Sequence, residues 1–313
     1  MSTPVVEIEG LRKSYRSRTV LHDVSFHAPE AALTALLGPN GAGKTTTVEI
    51  CEGLRRADGG RVRVLGRDPG ERADRAALRR DVGVMLQDGG LPLAAPAGAF
   101  LRHVAGLHEH PRDIGELADV LGLGSALRTP VRRLSGGQRA RLGFAVAVVG
   151  RPRLAFLDEP TSGLDPQARR AVWEFVRRLR EEGTSLVLTT HALDEVEDLA
   201  DRVVILDEGR VLVDADPAEL VDGGESVDFS GPPALVLSDL VAALPEGLDV
   251  AESAPGRYSV RSRPGAPEVA LDAQVVATVT TWCAARGIRL AAMSFGRRTL
   301  EDVYLDLTGR SLR

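Results

Sequence analysis

The sequence predicts a mixed α/β protein with a smaller α+β unit at its C-terminal end, and three observations carry that expectation. A short apolar run at residues 33–37 leads into a glycine-rich stretch and then a helix-like segment to about residue 53. Two further apolar runs, 154–157 and 185–190, end in polar chemistry, Asp158-Glu159-Pro160 and His191. After residues 217–224 the pattern turns to Gly- and Pro-rich breaks at 231–233 and 264–267, with no chemical motif. A boundary near residue 220 follows, dividing the chain into 1–220 and 221–313.

Each element has its own justification. Segments near 5–8, 20–26 and 61–65 have β-type composition without interleaved helices, so they are expected to form a separate antiparallel layer. The runs at 33–37 and 154–157 are largely apolar and 185–190 has an apolar Leu-Val-Leu centre, as strands buried on both faces of a parallel sheet should. Between residues 166 and 180, Val172, Phe175, Val176 and Leu179 fall at helical spacing, with Asp165 as N-cap and Pro166 at the first helical position. Strand and helix thus alternate, and in open parallel sheets ligands bind beyond the carboxyl ends of the strands. In the last ninety or so residues, alternation at 235–237 and 258–260 and a helical pattern over 273–286 suggest a small α+β unit.

Composition bounds the function. The 313 residues are 43% hydrophobic and 27% charged, ordinary for a globular chain and too apolar for a disordered one. A net charge of −5 supplies no basic field, so nucleic acid is not expected as a partner. Cys51 and Cys283 are too few and too far apart for a disulfide framework or metal ligands, which suits a reduced, cytosolic setting. No apolar run approaches the roughly 18 residues of a spanning helix, and the first residues lack the pattern of a signal peptide. Arginine outnumbers lysine 37 to 2, so each lysine asks why arginine would not serve; one of the two is Lys44.

Gly38-Pro39-Asn40-Gly41-Ala42-Gly43-Lys44-Thr45, followed by Thr46, fits G-x-x-x-x-G-K-T. Its glycines let backbone N–H groups wrap a phosphate while the following helix points its positive end inward. Lys44 is expected to reach the β and γ phosphates and Thr45 to place its hydroxyl on Mg²⁺; the planar fork of arginine does not fit a site shaped for a compact ammonium. The run 154–157 delivers Asp158 to the metal side of such a site, and Glu159 is placed to polarise an attacking water. Leu134-Ser135-Gly136-Gly137-Gln138 then precedes an apolar helix and offers a second phosphate-friendly N-terminus. One nucleotide does not need two such loops.

That second loop makes a resemblance definite: LSGGQ, lying between the Lys44 loop and Asp158, resembles the signature of ATP-binding cassette (ABC) ATPases. The resemblance implies the P-loop fold of that family: a mixed sheet core, an antiparallel β subdomain and a helical subdomain. It also implies ATP and Mg²⁺ as cofactors and a head-to-tail homodimer, each ATP lying between one copy's Lys44 loop and the other's Ser135, Gly136, Gly137 and Gln138. Gln87 resembles the glutamine that senses Mg²⁺ and the attacking water. Residues 162–165, ending in Asp165, resemble the loop that crosses the dimer interface. His191 resembles the switch histidine that contacts the γ-phosphate, and Tyr15 the aromatic that stacks on adenine.

The matching covers roughly residues 5–220. The separate-chain layout and the ending 298–309 look most like ATPase subunits of ABC-2-type exporters of the daunorubicin-resistance kind. This implies an ATPase on the cytoplasmic face of the membrane, powering a separately encoded permease for drug, antibiotic or lipid-like export. Residues 88–107 depart from the family by lacking its usual Thr-Val-x-Glu-Asn-Leu-like run. The alternative is a cassette ATPase that acts on nucleic acid or the ribosome. Against it, only 91 positions separate Lys44 from Ser135, leaving no room for a long coiled-coil insertion; there are two cysteines and one phosphate loop. For residues 221–313 the expectation is an accessory unit that stabilises the dimer, with ligand sensing as the competing role.

Overall fold

The computed structural model describes residues 4–16, 18–86, 90–221, 225–263, 269–297 and 299–308. They divide into two compact units, Met1–Asp216 and Pro217–Leu312.

In the first unit the chain runs β1 (Val6–Tyr15), β2 (Arg18–Ala28), β3 (Leu33–Leu37), α1 (Lys44–Cys51), β4 (Gly59–Val64), α2 (Arg72–Asp81), β5 (Val82–Met85), α3 (Ala97–Ala105) and α4 (Ile114–Val120). It continues through α5 (Gly136–Val148), β6 (Leu154–Asp158), α6 (Pro166–Glu181), β7 (Ser185–Thr190), α7 (Leu193–Leu199), β8 (Arg202–Asp207) and β9 (Arg210–Ala215). Strands β2-β1-β4 form the expected antiparallel layer. The main sheet has the order β5-β6-β7-β3-β8-β9, parallel except for β9 at the edge. Every residue of β3, β6 and β7 is buried, which explains their largely apolar cores.

The core between the two layers is built around α1. Val48, Ile50 and Cys51 pack with Ile8, Leu11 and Val24 of the antiparallel layer and with Leu36, Phe156 and Val204 of the main sheet. Burying an aliphatic side chain of this kind stabilises by about 1.5–3 kcal/mol, so the helix behind the phosphate loop is anchored on two sides. Parallel β3, β6 and β7 are neighbours, and their carboxyl ends carry Gly38, Glu159 and His191 to one edge of the sheet.

The second unit contains α8 (Pro217–Val221), β10 (Glu225–Ser230), α9 (Ser238–Ala243), β11 (Leu248–Ala254), β12 (Arg257–Ser262), α10 (Ala273–Ala285), β13 (Ala292–Arg297) and α11 (Leu300–Thr308). From β10 to β13 the succession is β-α-β-β-α-β on an antiparallel sheet of order β11-β12-β10-β13, the split-βαβ, ferredoxin-like arrangement. Its core is its own: Phe229 and Tyr258 stack at 5.0 Å between centroids, over Leu240, Val275, Val279 and Trp282 of the helices. Residues 235–237, expected as a strand, form none. Pro232 and Pro233 offer no N–H to a ladder, and the Leu235 N–H donates instead to the Tyr258 hydroxyl at 3.0 Å.

Candidate functional site

The glycine loop bridges β3 and α1 in a shape most residues cannot adopt. Gly43 caps α1 at φ 104°, and a Cβ there would lie 2.5 Å from Leu21 Cδ2. Gly38, at φ 150°, passes so near the Leu206 carbonyl that a Cβ would fall 2.1 Å from its oxygen. Between them lie Pro39, Asn40, Gly41 and Ala42, with the Ala42 N–H donating to the Pro39 carbonyl at 3.1 Å.

Lys44, only 7% exposed, turns its ammonium back into this loop, donating to the Gly38 carbonyl at 2.5 Å and the Pro39 carbonyl at 3.3 Å. Burial lowers its pKa, while the charges of Glu159 and Asp158 work in the opposite direction. The ammonium is therefore held where anionic oxygens are expected, within the field of two carboxylates. Thr45 follows it on the first turn of α1, near enough to Asp158 to help lower that carboxyl's pKa. Thr46 is the next residue of that turn.

Asp158, the last residue of β6, is 5% exposed. Desolvation raises its pKa, offset in part by the hydrogen bond that Thr189 of β7 donates to its Oδ1. The next residue, Glu159, sits at φ 50°, a left-handed conformation that a long side chain rarely takes and that clusters at functional sites. Its N–H holds it there by donating to both the carbonyl and the hydroxyl of Thr189, each at 3.1 Å. Its Oε1 lies 3.2 Å from Nδ1 of His191, the residue after β7. Thus Lys44, Thr45, Asp158, Glu159 and His191, separated by up to 147 positions of sequence, form one connected cluster.

The second loop has a different local logic. The Ser135 hydroxyl accepts from the Gln138 N–H at 3.2 Å and the Gln138 amide oxygen accepts from the Ser135 N–H at 3.0 Å, a reciprocal capping box at the start of α5. Capping uses a lone pair of the hydroxyl oxygen and leaves its O–H free to donate. Ser135 and Gly136 are exposed, and a Cβ at Gly136 would meet nothing within 4 Å; Gly137, by contrast, packs close to Leu164. Asp165 caps α6, accepting from the Gln167 and Ala168 N–H groups at 3.0 and 2.9 Å, which lowers its pKa.

Tyr15 ends β1 with 36% of its surface exposed. Gln87 lies outside the described residues. A cavity of about 700 Å³ opens beside Asp158 and Glu159, walled by Leu86, Leu93, Arg139 of α5 and Gly163. Three groups in this region escaped sequence reasoning. Thr189 and Glu195 carried no motif, the only hint being hydroxyls at the end of an otherwise apolar run. Glu52, at the end of α1, has both carboxylate oxygens buried without a hydrogen-bond partner among the described residues.

A profile of the ABC transporter family matches residues 21–162. The Nod factor export ATP-binding protein I of Ralstonia nicotianae is 34% identical over all of this chain and 96% of its own. The chain belongs to the ABC transporter family. It is an ATP-binding, ATP-hydrolysing ABC transporter subunit. The daunorubicin/doxorubicin resistance ATP-binding protein DrrA of Streptomyces peucetius is 38% identical over 70% of this chain and 67% of its own. Among solved structures, the ATP-binding subunit of an ABC transporter superposes with a TM-score of 0.64 at 28% identity, over 69% of this chain and 91% of that one. The ABC fold expectation holds throughout the main sheet and its antiparallel layer.

Proposed function

We propose that this ABC subunit powers a separately encoded membrane permease for export of a drug, antibiotic or lipid-like molecule, working as a head-to-tail homodimer on the cytoplasmic face. The observation that carries the hydrolytic reading is the buried Lys44 ammonium inside the glycine loop, beside Asp158 and a Glu159 that touches His191. ATP then binds with its β and γ phosphates in the cradle of residues 38–46, Lys44 exchanging loop carbonyls for phosphate oxygens, and adenine stacks on Tyr15. Glu159 accepts a hydrogen bond from the attacking water, Gln87 helps to place that water, and His191 contacts the γ-phosphate.

The residues present fit Mg²⁺. Thr45 and Asp158 set two oxygen donors side by side, and Asp158 is a desolvated carboxylate in need of positive charge. No group of three His, Cys, Asp or Glu among the described residues could cage a metal alone, which suits an ion that takes its other ligands from phosphates and water. When bound, the ion neutralises charge on the phosphates.

Dimerisation is supported by the exposure of Ser135 and Gly136 and by Gly163, where a Cβ would also meet nothing within 4 Å. These backbones are open to a second copy, whose Lys44-bound ATP would receive the Ser135 hydroxyl, with Asp165 holding the neighbouring helix. The exposed Leu86 and Leu93 on the wall of the large cavity supply apolar surface for a permease loop. Among the described residues no helix is long and apolar enough to cross a membrane, and the DrrA and Nod factor export relatives suggest the cargo class.

Glu159→Gln tests the reading: ATP binding stays intact, turnover falls by about 10²-fold or more, and a closed dimer accumulates on a sizing column. Turnover at the wild-type rate would remove Glu159 from its role.

A further inference from the structure

The second lysine remains to be explained. In a chain that places arginine at 37 basic positions, Lys13 is kept, and it is 15% exposed in its side chain. Its ammonium donates to Asp58 Oδ1 at 2.7 Å, and the other oxygen of that carboxylate accepts from the Ser14 N–H at 2.7 Å. These two donors pull the Asp58 carboxyl below its ordinary pKa, with the Lys13 bond the larger cause. The same ammonium lies 5.5 Å from the centre of the Tyr15 ring. From the other chain segment, the Arg55 guanidinium lies 5.4 Å from that centre. Arg55 is itself tied to Glu49 of α1 through a bond from Nε to Oε2 and a second from Nη2 to Oε1 at 3.2 Å. The Asp58 N–H closes the bracket by donating to the Arg12 carbonyl at 2.9 Å.

The turn from Arg55 to Asp58 therefore joins two things that the fold otherwise holds apart in sequence: the helix behind the phosphate loop and the exposed tyrosine at the end of β1. We propose that Lys13 and Arg55 are positioning residues that fix the Tyr15 ring relative to α1, so that base stacking and phosphate binding occur at one set spacing. This rests on the reading of Tyr15 as the adenine platform. It also accounts for the lysine. Arginine at position 13 would present a fork to both oxygens of Asp58, displacing the Ser14 N–H and turning the strand end that carries Tyr15. Lysine, a point donor, takes one oxygen and leaves the other.

Equilibrium titration of the full chain with ATP and, separately, with inorganic tripolyphosphate tests the proposal on Lys13→Arg, Lys13→Met, Arg55→Ala and Tyr15→Ala. The Lys13 and Arg55 variants are expected to weaken ATP binding about three- to tenfold, with tripolyphosphate affinity within twofold of wild type. In steady-state assays the loss falls on KM rather than kcat. ATP affinity unchanged in those variants, with Tyr15→Ala weakened, would overturn the bracket and leave the platform standing. ATP affinity unchanged in Tyr15→Ala would overturn the platform and the bracket with it. Parallel losses for both probes would also overturn the proposal, since they would mark a general disturbance of the loop.

Discussion

At the scale of single residues, the most costly group near the site is one that no motif contains. Glu52 is driven from 4.5 up to about 8, chiefly by burial and then by the charges of Asp158 and Glu49. A carboxyl whose pKa is raised on folding contributes stability below its unfolded pKa and loses it as pH rises through the folded value. The nucleotide-free protein should therefore lose stability between pH 5 and pH 9. Glu52→Gln should be much flatter across that range and more stable than wild type at pH 9, by on the order of a few kcal/mol. Denaturant unfolding at the two pH values checks this, and parallel pH profiles would refute it. The residue scale is also where the sequence was most legible. Gly38, Gly43 and Lys44 sit in a contiguous motif because the phosphate cradle is made by adjacent backbone groups. Glu52 and Thr189 owe their importance to Asp158, far away in sequence, and no motif in their own segments marks them.

Among the elements, the loop after β6 and the helices α6 and α7 meet at one buried carboxylate. Glu195 of α7, 6% exposed in its side chain, accepts from the Thr161 hydroxyl at 3.0 Å and faces Arg169 Nε of α6 at 3.1 Å. The Arg169 contact is close but poorly aligned as a hydrogen bond, so charge attraction, and not directional bonding, holds it. Removing one partner of a buried pair leaves the other uncompensated. Glu195→Ala should cost about 1–3 kcal/mol, moderated by the partial exposure of Arg169, and should slow hydrolysis more than it weakens ATP binding. Urea unfolding and single-turnover kinetics would measure the two effects; a variant with wild-type stability would dismiss the network. Helices were readable from their starts, since Asp165, Pro166 and the serine–glycine opening at 135–137 are local signals. The strand order β5-β6-β7-β3-β8-β9 was not readable, because pairing between distant runs leaves no trace in either run alone.

For the whole molecule, the unit that begins at Pro217 has a sheet and a core of its own, with Val227, Tyr258 and Val260 at 1% exposure or less. We propose that it strengthens the dimer. A chain ending at Asp216 should bind ATP with wild-type affinity yet dimerise with Mg²⁺-ATP at least about tenfold more weakly, a difference of about 1.4 kcal/mol. Light scattering over a concentration series would show it, and equal dimerisation would exclude the role. Composition could announce this unit only as α+β. Its ferredoxin-like order came from pairings among β10, β11, β12 and β13, while the alternation at 235–237 formed no strand.

The Thr189 hydroxyl touches the metal-side carboxylate and the amide of the next residue at once, and it stands two positions before the imidazole. Asp158, Glu159 and His191 consequently share a single mooring on β7. A displacement of that strand would carry all three side chains with it.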